Sequence, residues 1–204
     1  MRHTVLFIDF DGVIRHWHDD VSLIEARCGL PRGAISSVLF SPTMLLPAIS
    51  GAIDDETWRR NIAAELQQRH RDARAHEAVA QWSLSPGEVD RETLAILARC
   101  RPQLRIVLAT NATSRLNEDL HALGLASRFH AIANSSELRA TKPSPEFFHA
   151  ALARTEASAV ETLFIDDSSQ NVDAAAALGM LAHHFRGHAE MRRFLEHAGA
   201  LAPG

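Results

Sequence analysis

Two aspartates directly follow the first apolar run of the chain. Residues 5–8 (VLFI) are typical of a buried strand, and Asp9-Phe10-Asp11-Gly12 comes next, where such a strand is expected to reach solvent. Asp is a poor strand residue and is costly to bury without a partner. Two of them here are better explained by a metal ion and a reaction than by packing, because open α/β sheets bind ligands at this end of their strands.

Three later segments place polar groups after apolar runs in the same way. They carry a hydroxyl with an amide, a lysine, and two further carboxylates, in the order Thr110 and Asn111, Lys142, and Asp166 and Asp167. With the first two aspartates, this set suits phosphoryl transfer, in which a cation gathers the carboxylates and the other groups hold the phosphoryl oxygens. Aspartate oxygens are the usual protein ligands of Mg²⁺, so the sequence predicts a magnesium site.

Lys142 is the only lysine among the 21 Lys and Arg residues of the chain. A compact ammonium can lie between a carboxylate and a phosphoryl oxygen as a point charge, whereas the planar fork of Arg favours bidentate contacts. A lone lysine at this position therefore indicates a catalytic role. A surface lysine in a Pro-containing loop is the alternative.

Length and composition limit the kinds of protein that this chain can be. A chain of 204 residues can form one domain, or one domain with a modest insertion, and can bury a full core. A net charge of -4 without a basic stripe argues against a nucleic-acid partner. Cys28 and Cys100 lack metal-binding spacing and are interpreted as reduced core thiols. No apolar run approaches the ~20 residues of a membrane span and no apolar leader precedes the first strand, so a cytoplasmic protein is expected.

The apolar pattern predicts the fold class. Strand-like runs in the first and last parts of the chain are continuously apolar, as in a parallel sheet covered on both faces by helices. Strand then helix, repeated to the C-terminus, predicts an α/β fold with a doubly wound (Rossmann-like) parallel sheet. Residues 15–83 contain helical patterns without a convincing strand, which predicts an inserted all-α cap between core segments 1–14 and 84–204. Such a cap could close over the strand ends and exclude water.

Local signals predict where several helices begin. Ser85 and Glu88 form a capping-box pattern that predicts a helix start, and Ser144 before Pro145 predicts another.

Residues 15–20 (RHWHDD) leave two interpretations open. Trp17 could stack on a sugar or aromatic ring of a substrate, or the segment could be a hinge with a half-buried tryptophan. Its His and Asp spacing matches no compact ligand set, which disfavours a second metal site.

In their order along the chain, these motifs resemble the haloacid dehalogenase (HAD) superfamily, in the branch with a small helical cap after the first strand. The matching segments are Asp9-Phe10-Asp11-Gly12-Val13, Thr110-Asn111, Lys142-Pro143-Ser144-Pro145 with Phe147-Phe148, and Phe164-Ile165-Asp166-Asp167-Ser168 with Asn171-Val172 and Gly179-Met180. Within the superfamily, the chain is most similar to phosphatases related to glucose-1-phosphate phosphatase and to the N-terminal phosphatase domain of soluble epoxide hydrolase.

The resemblance implies a role for each motif residue. Asp9 would attack phosphorus and form an aspartyl-phosphate, and Asp11 would protonate the leaving oxygen and then activate water. Mg²⁺ would be held by a carboxylate oxygen of Asp9, the backbone carbonyl of Asp11 and the carboxylate of Asp167. Asp166 would support these ligands without binding the ion itself. The residues expected to bind the substrate are Thr110, Asn111 and Lys142.

The implied function is hydrolysis of a small phosphorylated metabolite, a sugar phosphate or a similar phosphomonoester, by an Mg²⁺-dependent monomer or homodimer. Dehalogenases need no acid for a halide and lack the aspartate that Asp11 provides, so dehalogenation is disfavoured. Phosphonate cleavage is disfavoured too, since the cap segment contains no lysine for a Schiff base. A phosphomutase with the same intermediate and a non-catalytic ligand-binding protein stay open. No nucleic-acid or membrane partner is expected.

Overall fold

A five-stranded parallel sheet positions the polar loops. The computed structural model describes residues 3–17 and 21–202. The sheet order is β5-β4-β1-β6-β7, with all neighbours parallel. Its strands are β1 (Val5–Ile8), β4 (Arg105–Thr110), β5 (Ala131–Asn134), β6 (Thr162–Asp166) and β7 (Leu181–His184), and a separate antiparallel pair is formed by β2 (Arg15–His16) and β3 (Glu88–Val89). The predicted doubly wound α/β fold is confirmed.

Helices cover both faces of this sheet. Those that follow the sheet strands or β3 are α6 (Arg91–Leu97), α7 (Leu116–Ala122), α8 (Ser135–Leu138), α9 (Pro145–Thr155), α10 (Ser169–Ala177) and α11 (His188–His197), with a 3₁₀ turn at Ala159–Glu161. Leu6 and Ile8 pack with α6, α7 and α11, whereas Val5 and Phe7 pack with α9 and α10. Alternate residues of β1 therefore face two different helical layers, which explains why the whole strand is apolar.

Five further helices lie between β2 and β3, in the segment predicted to be a cap, and are called the cap helices below. They are α1 (Val21–Cys28), α2 (Ala34–Leu39), α3 (Pro42–Ile49), α4 (Asp55–Arg69) and α5 (Ala75–Trp82). This segment has an apolar cluster of its own around Trp58, Ile62 and Leu66, distinct from the two clusters on the sheet. In the described ranges, no helix has the length and apolar character needed to cross a membrane. The division of the chain at residues 15 and 83 stays a prediction.

The prediction that a helix begins at Ser85 is wrong. Glu88 lies in β3, paired with His16, and α6 begins only at Arg91. The cap of that helix is Asp90, whose Oδ1 accepts a hydrogen bond of 2.8 Å from the backbone N–H of Thr93. The Ser-x-x-Glu pattern predicts helix from local spacing alone, and pairing with a distant strand overrode it.

The predicted helix start at Ser144 is confirmed, since Ser144 caps α9 with Pro145 in its first turn. Sequence patterns did not resolve α3 and α5 as separate helices. They also missed β2 and β3, because two-residue strands carry no periodic signal.

Candidate active site

Lys142 joins the carboxyl ends of three neighbouring strands. Its Nζ lies 2.8 Å from Oδ1 of Asp9 after β1, 2.6 Å from Oδ2 of Asp166 at the end of β6, and 2.8 Å from the carbonyl oxygen of Ala109 in β4. The lysine is only 4% exposed, so its charge is balanced inside the protein by the two carboxylates. The ammonium therefore joins loops that are distant in the chain, since Asp9 and Lys142 are 133 positions apart (142 − 9 = 133).

Asp166 is fully buried and its oxygens are engaged by the protein. Oδ1 accepts hydrogen bonds of 2.8 Å from the backbone N–H of Ser168 and 2.9 Å from the side-chain amide of Asn171, while Oδ2 accepts from Lys142. This carboxylate orients the lysine. The supporting role toward the metal ligands that the family resemblance implied for Asp166 stays a prediction.

Asn111 contacts the backbone of Lys142 through both ends of its amide. Its Oδ1 accepts from the Lys142 N–H at 2.8 Å, and its Nδ2 donates to the Lys142 carbonyl at 2.9 Å. Asn111 therefore fixes the loop that carries the lysine, a role that the sequence could not indicate because the two residues are 31 positions apart. Thr110 is buried at the end of β4. Substrate binding by Thr110 and Asn111 stays a prediction.

Three carboxylates offer a place for a metal ion. Asp9, Asp166 and Asp167 each present one oxygen, and these oxygens lie within 4.8 Å of one another. An all-oxygen, anionic donor set fits Mg²⁺, which takes one or two protein carboxylates and completes its shell with water and substrate. Both oxygens of Asp166 accept hydrogen bonds, from Ser168, Asn171 and Lys142, whereas Lys142 and the Phe10 N–H contact Asp9 at Oδ1. Asp9 and Asp167 as the carboxylate ligands of the ion stay a prediction. The backbone carbonyl of Asp11 as a third ligand stays a prediction.

Burial sets the charge properties of this cluster. It raises the pKa of Asp9 to about 7, and the charge of Asp166 adds to the effect while Lys142 acts against it. Burial and Asp166 also raise the pKa of Asp167. For Lys142, burial alone would lower the pKa, but Asp9 and Asp166 more than offset it, so the pKa is raised and the lysine is charged. A divalent cation at the cluster would favour the ionised carboxylates.

Asp11 is held by two residues that follow it in the chain. Its oxygens accept from Arg15 Nε at 2.7 Å and Arg15 Nη2 at 3.0 Å, and Trp17 Nε1 donates to Oδ1 at 2.9 Å. The Arg15 guanidinium lies 4.3 Å from the ring centroids of both Phe10 and Trp17. Trp17 therefore contacts the second aspartate of the motif, and whether its ring stacks on a substrate stays a prediction. His18, Asp19 and Asp20 lie outside the described residues.

Arg15 is fixed from the other side by Asp119, whose Oδ2 accepts from Arg15 Nη1 at 2.8 Å. Asp119 also binds Arg115 at 3.0 Å. Neither Arg15 nor Asp119 was expected to be a site residue from the sequence. The only sequence signal was the position of Arg15 four residues after Asp11, and nothing in the chain linked it to Asp119.

A cavity of about 610 Å³ adjoins these residues. Asp11, Asn111, Thr113 and Leu116 are among the core residues that line it, and all five cap helices, α1 to α5, contribute residues to its wall. The cap also contacts the core directly through Asp55 of α4, whose Oδ1 accepts from the Thr113 hydroxyl at 2.7 Å. The cavity therefore reaches the candidate catalytic aspartate and lies between core and cap.

Residues 3–179 match the family model of haloacid dehalogenase-like hydrolases. The chain belongs to this family. The resemblance stated from the motifs is thereby confirmed at the level of the superfamily.

Known HAD proteins share the fold at low identity. The chain is 21% identical to a HAD family enzyme from Bacteroides thetaiotaomicron crystallised with magnesium and inorganic phosphate, over 89% of this chain and 93% of that one, with a TM-score of 0.71. A HAD-like family hydrolase from Porphyromonas gingivalis is 24% identical over 90% and 91% of the two chains, with a TM-score of 0.69. The L-2-haloacid dehalogenase of Xanthobacter autotrophicus is 16% identical over 100% and 93%, with a TM-score of 0.65.

One curated relative matches over a short segment. The chain is 46% identical over 43 residues to the sesquiterpene phosphatase astK of Aspergillus oryzae. That match spans 21% of this chain and 22% of the length of the relative.

Gly12 allows the Asp167 carboxylate to approach the turn that follows β1 in this HAD hydrolase. Its φ is +82°, and a Cβ at this position would lie 2.2 Å from Asp167 Oδ2. Gly12→Ala is therefore expected to displace the Asp167 carboxylate and to weaken Mg²⁺ affinity by about tenfold or more, as measured by calorimetric titration.

Gly124→Ala is the matched control. Gly124 also has a positive φ, +69°, but a Cβ there meets nothing within 4 Å. Both substitutions are expected to lower the free energy of unfolding by about 1–2 kcal/mol, because a side chain disfavours the left-handed backbone. Gly12→Ala should lower it further, because its Cβ also meets Asp167. Equal Mg²⁺ affinity in the two variants would contradict the assignment of Asp167 as a ligand.

Proposed function

We propose that this HAD hydrolase is an Mg²⁺-dependent phosphatase that hydrolyses a phosphomonoester through an aspartyl-phosphate on Asp9. One observation carries the proposal. Asp9, Asp167 and Lys142 lie around a single point at the strand ends, with Lys142 Nζ 2.8 Å from Asp9 Oδ1. A nucleophilic carboxylate, a cation-binding carboxylate and a fixed ammonium are the parts that phosphoryl transfer needs.

The comparisons support this choice over other hydrolytic reactions of the family. The Aspergillus relative is named a phosphatase, and the Bacteroides enzyme was crystallised with magnesium and phosphate. The dehalogenases share the fold at 16% identity. Asp11 supplies a proton for an oxygen leaving group, which a halide does not require, and so favours ester hydrolysis in this chain.

In the first step, a carboxylate oxygen of Asp9 attacks phosphorus and forms a new P–O bond. The bond between phosphorus and the ester oxygen breaks, and Asp11 gives a proton to the departing alkoxide. Lys142 keeps the Asp9 oxygen in position and offers positive charge to the phosphoryl oxygens. Bound Mg²⁺ would supply further neutralisation of phosphoryl charge, held by Asp9 and Asp167.

In the second step, Asp11 takes a proton from water, the oxygen of which attacks phosphorus and releases the Asp9 carboxylate with inorganic phosphate. Arg15 and Trp17 hold the Asp11 carboxylate where it faces the cavity. They act as positioning residues, because their contacts are to Asp11.

The function is tested with p-nitrophenyl phosphate and a panel of phosphomonoesters in ¹⁸O-labelled water. We expect turnover that EDTA removes and added Mg²⁺ restores, with one labelled oxygen in each phosphate released. Transfer of phosphate to a second alcohol without label would instead indicate a phosphomutase. No Mg²⁺-dependent turnover with any ester would indicate a non-catalytic binding protein and overturn the proposal.

A further inference from the structure

The cavity next to Asp11 has mainly apolar walls. All three tryptophans of the chain, Trp17, Trp58 and Trp82, line it. The walls also include aliphatic and aromatic side chains from both cap and core, among them Ile24, Leu39, Phe40, Leu45, Ile49 and Leu116. Phe40 is 66% exposed and Trp17 is 44% exposed, although both are large apolar side chains. Exposed apolar surface gathered in one concave site is typical of a binding site for an apolar group.

Most charged groups in the cavity walls are bound to other protein groups. Glu25 is 1% exposed and accepts hydrogen bonds from the backbone N–H groups of Gly33 and Ile35, at 2.7 and 2.8 Å. Asp55 pairs with Arg59 at 2.5 Å, and Arg59 also donates to the Ser83 hydroxyl at 2.7 Å.

The polar groups near the strand ends are engaged as well. Arg15 is bound by Asp11 and Asp119, the Thr113 hydroxyl donates to Asp55, and the Asn111 amide binds Lys142. Arg32, which also lines the cavity, is exposed to solvent. A sugar has many hydroxyls that would lose water on entry and need new partners. Burying them against this wall would be costly, whereas burying hydrocarbon would be favourable.

We propose that the substrate is the phosphomonoester of a hydrocarbon-rich alcohol, with its alkyl or terpenoid-like part in the cavity and its phosphate beside Asp9. This inference rests on the proposed function and replaces the sugar phosphate expected from the family resemblance. The geometry also sets the orientation of the bound substrate. Asp11 lines the cavity and would protonate the ester oxygen, so the alcohol part of the substrate extends from Asp11 between the cap helices.

A series of straight-chain esters, from butyl to decyl phosphate below their micelle concentrations, tests the substrate class. Full transfer of one methylene from water to an apolar wall corresponds to about a fourfold gain in affinity. We expect kcat/KM to rise by up to about this factor per methylene until the cavity is filled, mainly through a lower KM. Glucose 1-phosphate is expected to be turned over at least about a hundredfold less efficiently than the best alkyl ester.

Two neighbouring leucines of α3 give a matched pair of variants. Leu45 lies in the cavity wall, while Leu46 is 51% exposed and is not part of that wall in the described structure. Leu45→Ser is expected to lower kcat/KM for decyl phosphate by about tenfold and for butyl phosphate much less. Leu46→Ser is expected to stay within about twofold. Phe40→Ser, at an exposed wall position, repeats the test without disturbing the core of the cap.

Intrinsic fluorescence provides a second readout that does not need turnover. Because every tryptophan lines the cavity, binding of an alkyl phosphate to Asp9→Asn should change the tryptophan emission. The ester concentration at half of this change should fall as the alkyl chain lengthens from butyl to decyl. The outcomes are distinguishable. Mg²⁺-dependent turnover with no dependence on chain length, or with a preference for glucose 1-phosphate, overturns this inference and leaves the phosphatase proposal standing. No turnover of any ester overturns both.

Discussion

Asp9→Asn is expected to lower turnover of phosphomonoesters by about 10⁴-fold or more, because an amide cannot form the aspartyl-phosphate. The fold should survive the change. Asn has the shape of Asp, and Lys142 keeps Asp166 and the Ala109 carbonyl as partners. The measurement is phosphate release under single-turnover and steady-state conditions, with the thermal unfolding midpoint recorded for both proteins.

Asp173→Asn provides the matched control, since it makes the same chemical change at an exposed carboxylate of α10. Its activity should equal that of the wild type. Trapping with acid after rapid mixing should give phosphate bound to wild-type protein and none bound to Asp9→Asn. Substantial turnover by Asp9→Asn would rule out covalent catalysis by this residue.

Lys142→Arg is expected to reduce kcat by about 10²–10³-fold although it keeps the positive charge. The lysine side chain is 1% exposed and its ammonium meets three oxygens at 2.6–2.8 Å. A guanidinium is larger and planar, so it cannot meet Asp9, Asp166 and the Ala109 carbonyl in the same way. Overpacking at this buried position should also cost about 1–3 kcal/mol of stability.

Lys142→Met separates charge from packing. It leaves Asp9 and Asp166 buried without their cation, which should cost about 3–5 kcal/mol in the free energy of unfolding, measured in urea. Arg154→Lys at an exposed ion pair with Glu137 is the control for an Arg/Lys exchange, and should change neither activity nor stability measurably. Near-normal kcat in Lys142→Arg would contradict the positioning role of the ammonium.

The sequence was most informative where physical chemistry is local. Continuous apolar runs such as β1 and β6 predicted a covered parallel sheet, and acidic residues at their ends predicted a site there. Ser144 before Pro145 predicted the start of α9 because a cap and a fixed proline φ act within one turn. The same kind of signal at Ser85 failed, because β3 pairs with a strand more than 70 residues away (88 − 16 = 72).

The motif sequence identified Asp9, Asp11, Lys142 and Asp167 as the residues to examine. It could not give the contacts among them, since those depend on how loops from separate strands meet. The role of Asn111 in holding the Lys142 backbone is one example, and the Arg15 contact to Asp119 is another.

The alternation of strands and helices, the polar residues at strand ends and the HAD family were thus determined by the amino-acid sequence itself, because each depends on residue type and short-range spacing. Tertiary structure alone decided that the cap helices and Asp11 line one cavity, that three distant tryptophans share its wall, and that Arg15 and Arg59 of that wall pair with carboxylates of the same wall. These properties arise from side chains far apart in the chain, whose partners are selected by packing and not by any local pattern.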